Sequence, residues 1–157
     1  MAVAPVEFVH ELRVRYGECD PQGIVFNANY LLYFDVAFTE LWREAVGPWS
    51  MMVERGVDAV VAEANTRFRS PARYDDVLQL RARITRLGTT SLTTEIDVVR
   101  DGEVLVEGRL RHVFVDTSTW AKTEMPDWIG DGLRRFATEA AADSAAEQPD
   151  PAPPARS

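Results

Sequence analysis

Apolar and polar side chains alternate along five stretches of the chain, and alternation with a period of two is typical of half-buried β-strands. The first stretch covers residues 8–16, where the even positions are Phe, His, Leu, Val and Tyr. Four more cover residues 58–69, 77–87, 91–100 and 103–116, with apolar groups recurring at even positions. We therefore predict five strands whose even-numbered side chains form one apolar face.

The odd-numbered faces of the last four stretches carry both arginines and carboxylates. Because the two signs are interspersed, we interpret this surface as solvated and laced with cross-strand ion pairs, not as a basic binding patch. The dipeptide Asp101-Gly102 separates two alternating runs and predicts a tight hairpin between antiparallel strands. The charged residues of this surface are Arg67, Arg69, Arg81, Arg83, Arg109, Arg111, Glu63, Glu95, Asp97 and Glu107.

Residues 30–46 have a different pattern, with polar groups on one stripe and apolar groups nearly everywhere else. That distribution predicts a largely buried helix of about four turns. Asn27 and Asn29 are acceptable N-caps, and Gly47-Pro48 provides a helix stop. The polar stripe consists of Asp35, Thr39 and Arg43.

A strand, a buried helix and then an antiparallel meander predict a single α+β domain over residues 1–140. In this plan a five-stranded antiparallel sheet wraps around one long central helix. Residues 125–139 are expected to form a short amphipathic helix. Residues 141–157 are rich in Ala and Pro and poor in large apolar groups, so we expect a disordered tail.

Charge and composition limit the partners of the protein. A formal charge of −8 over 157 residues argues against nucleic acid and anionic membranes, which bind basic patches. No apolar run is long enough to span a bilayer, and the first residues lack the basic and apolar regions of a signal peptide. With a single cysteine, Cys19, these features lead us to expect a cytosolic protein whose partners are small ligands or other proteins.

Several classes of chemistry are not favoured by the residues. No G-x-S-x-G motif is present, and both histidines, His10 and His112, fall mid-strand, where we expect packed or solvated side chains. No cluster has metal-ligand spacing and no Gly-rich phosphate loop occurs, so we expect neither a metal nor a nucleotide cofactor. Cys19 lies between two acids that disfavour a thiolate, and we interpret it as a small semi-buried side chain.

Asp20 is the carboxylate that remains as a catalytic candidate. It opens the sequence Asp20-Pro21-Gln22-Gly23, which has the chemistry of a type I turn and precedes the predicted helix. Amides at a helix N-terminus stabilise an oxyanion, and a carboxylate beside them can attack a thioester or activate water. Aspartate also suits this turn position for structural reasons alone, so the residues by themselves leave both interpretations open.

Two segments resemble a known enzyme family. Residues 16–30 read YGECDPQGIVFNANY, and residues 68–78 read FRSPARYDDVL. The first is similar to the active-site segment of the 4-hydroxybenzoyl-CoA thioesterase family of hotdog enzymes, and the second is similar to that family's turn into its third strand. The resemblance extends over residues 8–116 and implies a hotdog fold.

The resemblance also implies an activity, namely hydrolysis of an acyl-CoA with an aromatic or medium-length acyl group. It implies that Asp20 is the catalytic acid, as nucleophile or general base, and that the backbone amide of Asn27 polarises the thioester carbonyl. Gly23 and Ile24 are then expected to line the thioester and Tyr30 the acyl pocket, although Tyr30 also suits a core aromatic. Family members share active sites between subunits, so a homodimer or homotetramer is expected, and coenzyme A enters as substrate and not as cofactor.

The chain departs from the family pattern at two places. Many relatives carry histidine where this chain has Asn27, and the turn at residues 88–91 lacks the basic residues that some members use for coenzyme A phosphates. The candidate substitutes are Arg86 or arginines of a neighbouring subunit. Another hotdog clade places its acid on the central helix, which nominates Asp35 or Glu40. The alternative functions are hydrolysis of acyl groups on a carrier protein and non-catalytic acyl-CoA binding.

Overall fold

The computed structural model describes residues 6–138 and 140–141, and its main element is a five-stranded antiparallel sheet. The strands lie in the order β1-β3-β4-β5-β2, so β1 and β2 form the two edges. Along the chain the elements are β1 (Phe8–Arg13), a 3-10 turn (Tyr16–Glu18), α1 (Asn29–Ala45), α2 (Trp49–Glu54), β2 (Val57–Phe68), β3 (Val77–Leu87), β4 (Ser91–Arg100), β5 (Glu103–Asp116), α3 (Asp127–Leu133) and a second 3-10 turn (Arg134–Phe136).

The helix α1 packs on one face of the sheet and supplies the centre of the core. Its buried side chains recur every three or four residues, as the period of an α-helix requires. Leu78, Leu80 and Ile84 of β3 are fully buried in the same cluster. Burial of each such side chain stabilises the fold by about 1.5–3 kcal/mol. The buried residues of α1 are Tyr30, Tyr33, Phe34, Ala37, Phe38, Leu41 and Trp42.

The strands β3, β4 and β5 occupy the ranges that the alternation predicts. Arg100 and Glu103 pair directly, which confirms the predicted hairpin. The charged face carries the expected cross-strand ion pairs, since Arg83 contacts Glu95 at 2.8 Å and Asp97 at 2.9 Å. Solvent-exposed pairs contribute only about 0–1 kcal/mol each, so this face is held mainly by its backbone ladder and not by its charges.

The edge strand β2 does not bury the even-numbered face that its alternation predicts. All of its residues are half-buried or exposed, and Ala64 and Phe68 are both exposed. In the sheet β2 pairs only with β5, and it packs mainly against the short α2. Alternation therefore identifies the strand correctly, but it does not tell which element covers it.

The strand β1 is shorter than predicted and leaves Tyr16 exposed. It ends at Arg13, after which the Val14 amide donates to the carbonyl of Asp76 at 2.9 Å. The chain then enters the 3-10 turn, and Tyr16 is 82% exposed instead of buried. The period-two pattern extends to Val14, which is buried in the core although it lies beyond the end of the strand.

The helix α1 occupies nearly the predicted range and ends before Gly47, as predicted, where φ is +123°. The predicted N-caps, however, are wrong. The N-cap position is Ala28, and no side chain caps the helix. The Asn29 side chain instead donates to the carbonyl of Glu18 at 2.8 Å, because the preceding loop folds back onto the helix. The short α2 has no counterpart among the predicted elements.

The C-terminal part is described only as far as residue 141. The predicted helix at 125–139 is shorter in the structure, since α3 ends at Leu133 and a 3-10 turn follows. Residues 142–157, most of the predicted tail, lie outside the described residues, so the domain limit at residue 140 stays a prediction. No helix in the described part of the chain has the length and apolarity to cross a bilayer.

Candidate active site

A cleft of about 310 Å³ lies where the start of α1 meets the segment that follows β2. Pockets for small molecules begin at roughly this size. The walls come from two parts of the chain that are distant in sequence. The lining residues are Asp20, Gln22, Ile24, Val25, Asn27, Tyr30, Phe68, Arg69, Ser70 and Pro71.

Asp20 occupies the first position of the predicted turn. The Gly23 amide donates to the Asp20 carbonyl at 2.9 Å, which closes the turn. The half-buried Asp20 side chain accepts the Gln22 amide on Oδ1 at 2.8 Å, whereas Oδ2 accepts no hydrogen bond from the described residues. The turn therefore holds the carboxylate in one orientation and leaves one of its oxygens unoccupied.

The chain enters α1 through two amides that bond to none of the described residues. The amides of Asn29 and Tyr30 donate to the carbonyls of Phe26 and Asn27. The amides of Asn27 and Ala28 donate to no described residue. Unpaired amides at the start of a helix, with the macrodipole behind them, favour negative charge on an approaching atom.

Tyr30 and Phe68 form an aromatic wall of the cleft. Their ring centroids are 5.6 Å apart at an interplanar angle of 67°, which is an edge-to-face arrangement. The Tyr30 hydroxyl accepts the Ala72 amide at 3.2 Å, so the ring joins α1 to the segment after β2. Burial raises the pKa of Tyr30, which keeps the hydroxyl neutral.

Four of the five predicted site residues share this cleft, namely Asp20, Ile24, Asn27 and Tyr30. Gly23 is not among the lining residues, and its φ of +76° shows that it serves the backbone of the turn.

The opposite wall, from Phe68 to Pro71, was not among the predicted site residues. The sequence signals this wall in one way only: it begins residues 68–78, the segment similar to the family's turn into its third strand. Gln22 and Val25 were also missed, although they lie inside the first segment.

The alternative catalytic side chains do not line the cleft. Asp35 is exposed on α1, and Glu40 forms an ion pair of 3.2 Å with an arginine one turn later, as expected for a solvated helix face. His10 and His112 lie on strands away from the cleft, and Cys19 packs half-buried against the core. Among residues 6–138 and 140–141, no group of three or more His, Cys, Asp or Glu is arranged to hold a metal ion.

Comparison with known families decides the class of the protein, because residues 22–107 match the family model described as the thioesterase superfamily. The chain belongs to this superfamily. It is an enzyme with thioesterase activity.

The relatives of this thioesterase agree with that assignment. It is 34% identical over 120 residues to the acyl-CoA thioester hydrolase YbgC of Escherichia coli, a match that covers 75% of this chain and 89% of that protein. The 4-hydroxybenzoyl-CoA thioesterase of Pseudomonas is 38% identical over 71 residues, covering 43% of this chain and 50% of that enzyme. This shorter match supports the superfamily, but it does not distinguish the 4-hydroxybenzoyl-CoA family from the others.

Solved structures confirm the hotdog fold of this thioesterase. A protein of the thioesterase superfamily from Jannaschia sp. superposes with a TM-score of 0.80 at 28% identity, over 87% of this chain and 98% of that one. The predicted arrangement of an antiparallel sheet packed on a central helix is therefore correct.

Proposed function

We propose that this thioesterase hydrolyses an acyl-CoA to the free acid and coenzyme A, with Asp20 as the catalytic carboxylate. The observation that carries the proposal is that Asp20 and Asn27 line the same cleft. Within the described residues, one oxygen of Asp20 accepts no hydrogen bond and the Asn27 amide donates none. The E. coli relative named an acyl-CoA thioester hydrolase supports coenzyme A thioesters as the substrate class.

The chemistry requires two groups on the thioester carbonyl. The amide of Asn27 at the start of α1 donates to the carbonyl oxygen and stabilises the negative charge that develops there. Asp20 then either attacks the carbonyl carbon, giving an anhydride that water cleaves, or removes a proton from the attacking water. In both routes the carbon–sulfur bond breaks and coenzyme A leaves as a thiolate, which needs no strong general acid.

The acyl group is proposed to be aromatic or of medium length. Tyr30 and Phe68 present an aromatic wall, and Ile24 and Val25 add apolar surface. Aromatic rings favour edge-to-face and offset contacts with another ring, which suits an aroyl group in particular. Under this assignment Ile24 and Tyr30 contact the substrate, and Gly23 acts by shaping the turn.

Assembly of two or more copies is part of the proposal. The edge strand β2 has no pairing partner on its outer side within the described residues, and Phe68 at its end is also a wall of the cleft. A second copy along β2 therefore covers an open edge and extends the substrate site at the same time.

A thioester carried by an acyl carrier protein is the second candidate substrate. Its support is the turn at residues 88–91, which has no basic side chain for coenzyme A phosphates. Arg86 is half-buried and makes no ion pair within the described residues, so it remains the candidate phosphate ligand. Comparing kcat/KM for the same acyl group on coenzyme A and on a carrier protein distinguishes the two, and equal or faster turnover of the coenzyme A thioester excludes the carrier protein.

The deciding experiment is Asp20→Asn assayed for thiol release on a panel of acyl- and aroyl-CoA thioesters. The amide cannot attack the carbonyl or accept a proton, so kcat is expected to fall by at least ~10²-fold. The matched controls are Asp35→Asn and Glu40→Gln, which remove carboxylates outside the cleft and are expected to keep wild-type turnover. The proposal fails if the wild type releases no thiol from any member of the panel, or if Asp20→Asn retains full activity.

A further inference from the structure

Glu18 is a buried carboxylate two residues before Asp20, and both of its oxygens are occupied. Only 8% of the residue is exposed. Oε1 accepts hydrogen bonds from Nε of Arg15, at 2.7 Å, and from Nη2 of the same side chain. Oε2 accepts the Arg15 amide at 2.8 Å and the Tyr33 hydroxyl at 2.7 Å.

This network keeps Glu18 ionised. Burial by itself raises the pKa of the carboxyl, but the hydrogen bonds from Arg15 and Tyr33 outweigh burial and hold the pKa below its usual value. A buried carboxylate with every lone-pair direction satisfied is rigid, because each donor fixes it from a different side.

The main chain of Glu18 is tied to the segment that leads into α1. Its carbonyl accepts the Phe26 amide at 2.9 Å and the Asn29 side chain at 2.8 Å. Phe26 immediately precedes Asn27, and Asn29 is the first residue of α1. Glu18 thus contacts Arg15, which follows β1, and Phe26, which precedes the Asn27 amide. Through Tyr33 it also contacts the body of α1.

We propose that Glu18 is a positioning residue, which holds the Asp20 turn against the start of α1 so that the carboxylate of Asp20 and the amide of Asn27 face one thioester carbonyl. This inference rests on the proposed function. Glu18 does not line the cleft and acts through Asp20 and Asn27, so it is not itself a catalytic group.

The proposed reaction depends on the distances from Asp20 and from the Asn27 amide to the thioester carbonyl. Asp20 and Asn27 belong to one loop. A backbone β-bridge between Cys19 and Val25 holds this loop closed, and so do the hydrogen bonds to the Glu18 carbonyl. A misplacement of about 1 Å between a catalytic group and its substrate lowers turnover by roughly 10²-fold. A brace that fixes both groups to one residue is therefore expected to affect kcat more than substrate binding.

The test is Glu18→Gln and Tyr33→Phe, assayed for kcat and KM on the best wild-type thioester at a temperature where circular dichroism shows each variant to be folded. The glutamine NH2 group cannot accept from Arg15 or Tyr33, so Glu18→Gln loses one side of the network. Tyr33→Phe removes a single bond and keeps the carboxylate. We expect kcat to fall about 10-fold or more in Glu18→Gln and less in Tyr33→Phe, with KM changed less than about 3-fold.

Asp75→Asn is the matched control. It removes the ion pair between Arg13 and Asp75, 3.1 Å long and mostly exposed, at the same end of β1, and it is expected to keep wild-type kcat. If both test variants melt at lower temperature but keep wild-type kcat while folded, Glu18 only stabilises the fold and the inference is overturned. If Glu18→Gln does not fold, Tyr33→Phe decides in the same way.

A readout without turnover separates this inference from the proposed function. The Phe26 amide, bonded to the Glu18 carbonyl, is expected to exchange its hydrogen faster in Tyr33→Phe than in the wild type. If the wild type hydrolyses no thioester, the proposed function has failed, and unchanged exchange at Phe26 would then also remove the bracing role of Glu18.

Discussion

His112 is a titratable side chain buried inside the core. It is 2% exposed, and its ring stacks on Phe38 of α1 with centroids 3.9 Å apart and planes 10° from parallel. Its Nδ1 has no hydrogen-bond partner within the described residues. Burial lowers the pKa of His112 to about 4, because the charged form loses its surrounding water in the core.

The buried histidine predicts a loss of stability in mild acid. The unfolded chain binds the His112 proton below about pH 6.5, whereas the folded chain binds it only near pH 4, so the free energy of unfolding falls as the pH falls through this window. We expect His112 to account for a loss of about 2 kcal/mol between pH 7.5 and pH 5. Urea unfolding at both values measures it, and His112→Phe is expected to remove that loss. An unchanged pH dependence in this variant would contradict the prediction.

At the level of single residues, the sequence predicts one half of the cleft. Asp20, Ile24, Asn27 and Tyr30 come from one continuous segment whose resemblance assigns them together. The wall from Phe68 to Pro71 is not predictable in the same way, because its position depends on how the chain after β2 packs across α1. The bracing role of Glu18 also has no local signal, since it depends on the orientation of Tyr33.

The ring of Phe34 on α1 lies directly against the backbone of Gly108 in β5. A methyl group at this position would lie 2.4 Å from Cζ of Phe34, whose ring is fully buried. A side chain of any size therefore has to displace the ring at the centre of the core. The absence of a side chain at Gly108 leaves room for the Phe34 ring.

Gly108→Ala is predicted to destabilise the protein. Forcing a methyl group against the buried ring costs about 1–3 kcal/mol, which chemical denaturation measures as a lower midpoint with an unchanged slope. The double variant Gly108→Ala, Phe34→Leu tests the cause, because the smaller side chain makes room for the methyl group. We expect the two substitutions together to cost less than the sum of their separate costs. Strict additivity would show that the ring is not the obstacle.

At the level of elements, the pattern of apolar and polar residues predicts the range of a strand or helix better than it predicts which neighbouring elements pack against it. Alternation gives β3, β4 and β5 correctly, since both of their neighbours in the sheet are strands. It fails for the buried face of β2, because an edge strand alternates in the same way whether or not a helix covers it. The N-cap of α1 is wrong for a similar reason, since the Asn29 side chain is engaged by a loop that the local sequence does not reveal.

The two edges of the sheet differ at the scale of the whole molecule. β2 is 12 residues long and β1 is 6, so β2 presents the longer row of backbone groups for pairing. The edge of β2 also carries the exposed side chains of Val61 and Phe68, at 45% and 54%. A long edge strand with exposed apolar groups is a site for association between chains.

Val61→Lys is therefore expected to shift the assembly towards the monomer, as measured by analytical ultracentrifugation. A lysine on an edge strand opposes pairing because its charge has to remain solvated. Val9→Lys on β1 is the matched control, since Val9 is also 45% exposed, and it is expected to leave the assembly unchanged. Dissociation by the β1 variant alone would place the contact on the opposite edge.

The cytosolic location that the sequence suggests stays a prediction.

The positive charges on the sheet are almost all guanidinium groups, and the sequence contains a single lysine, Lys122. A thioester transfers its acyl group to accessible primary amines, whereas a guanidinium stays protonated and does not react in this way. Lys122 is not among the residues of the cleft. This enzyme binds thioesters, whose acyl groups react with amines, and its sequence has one side-chain amine. The scarcity of lysine protects its surface from acylation by its own substrate.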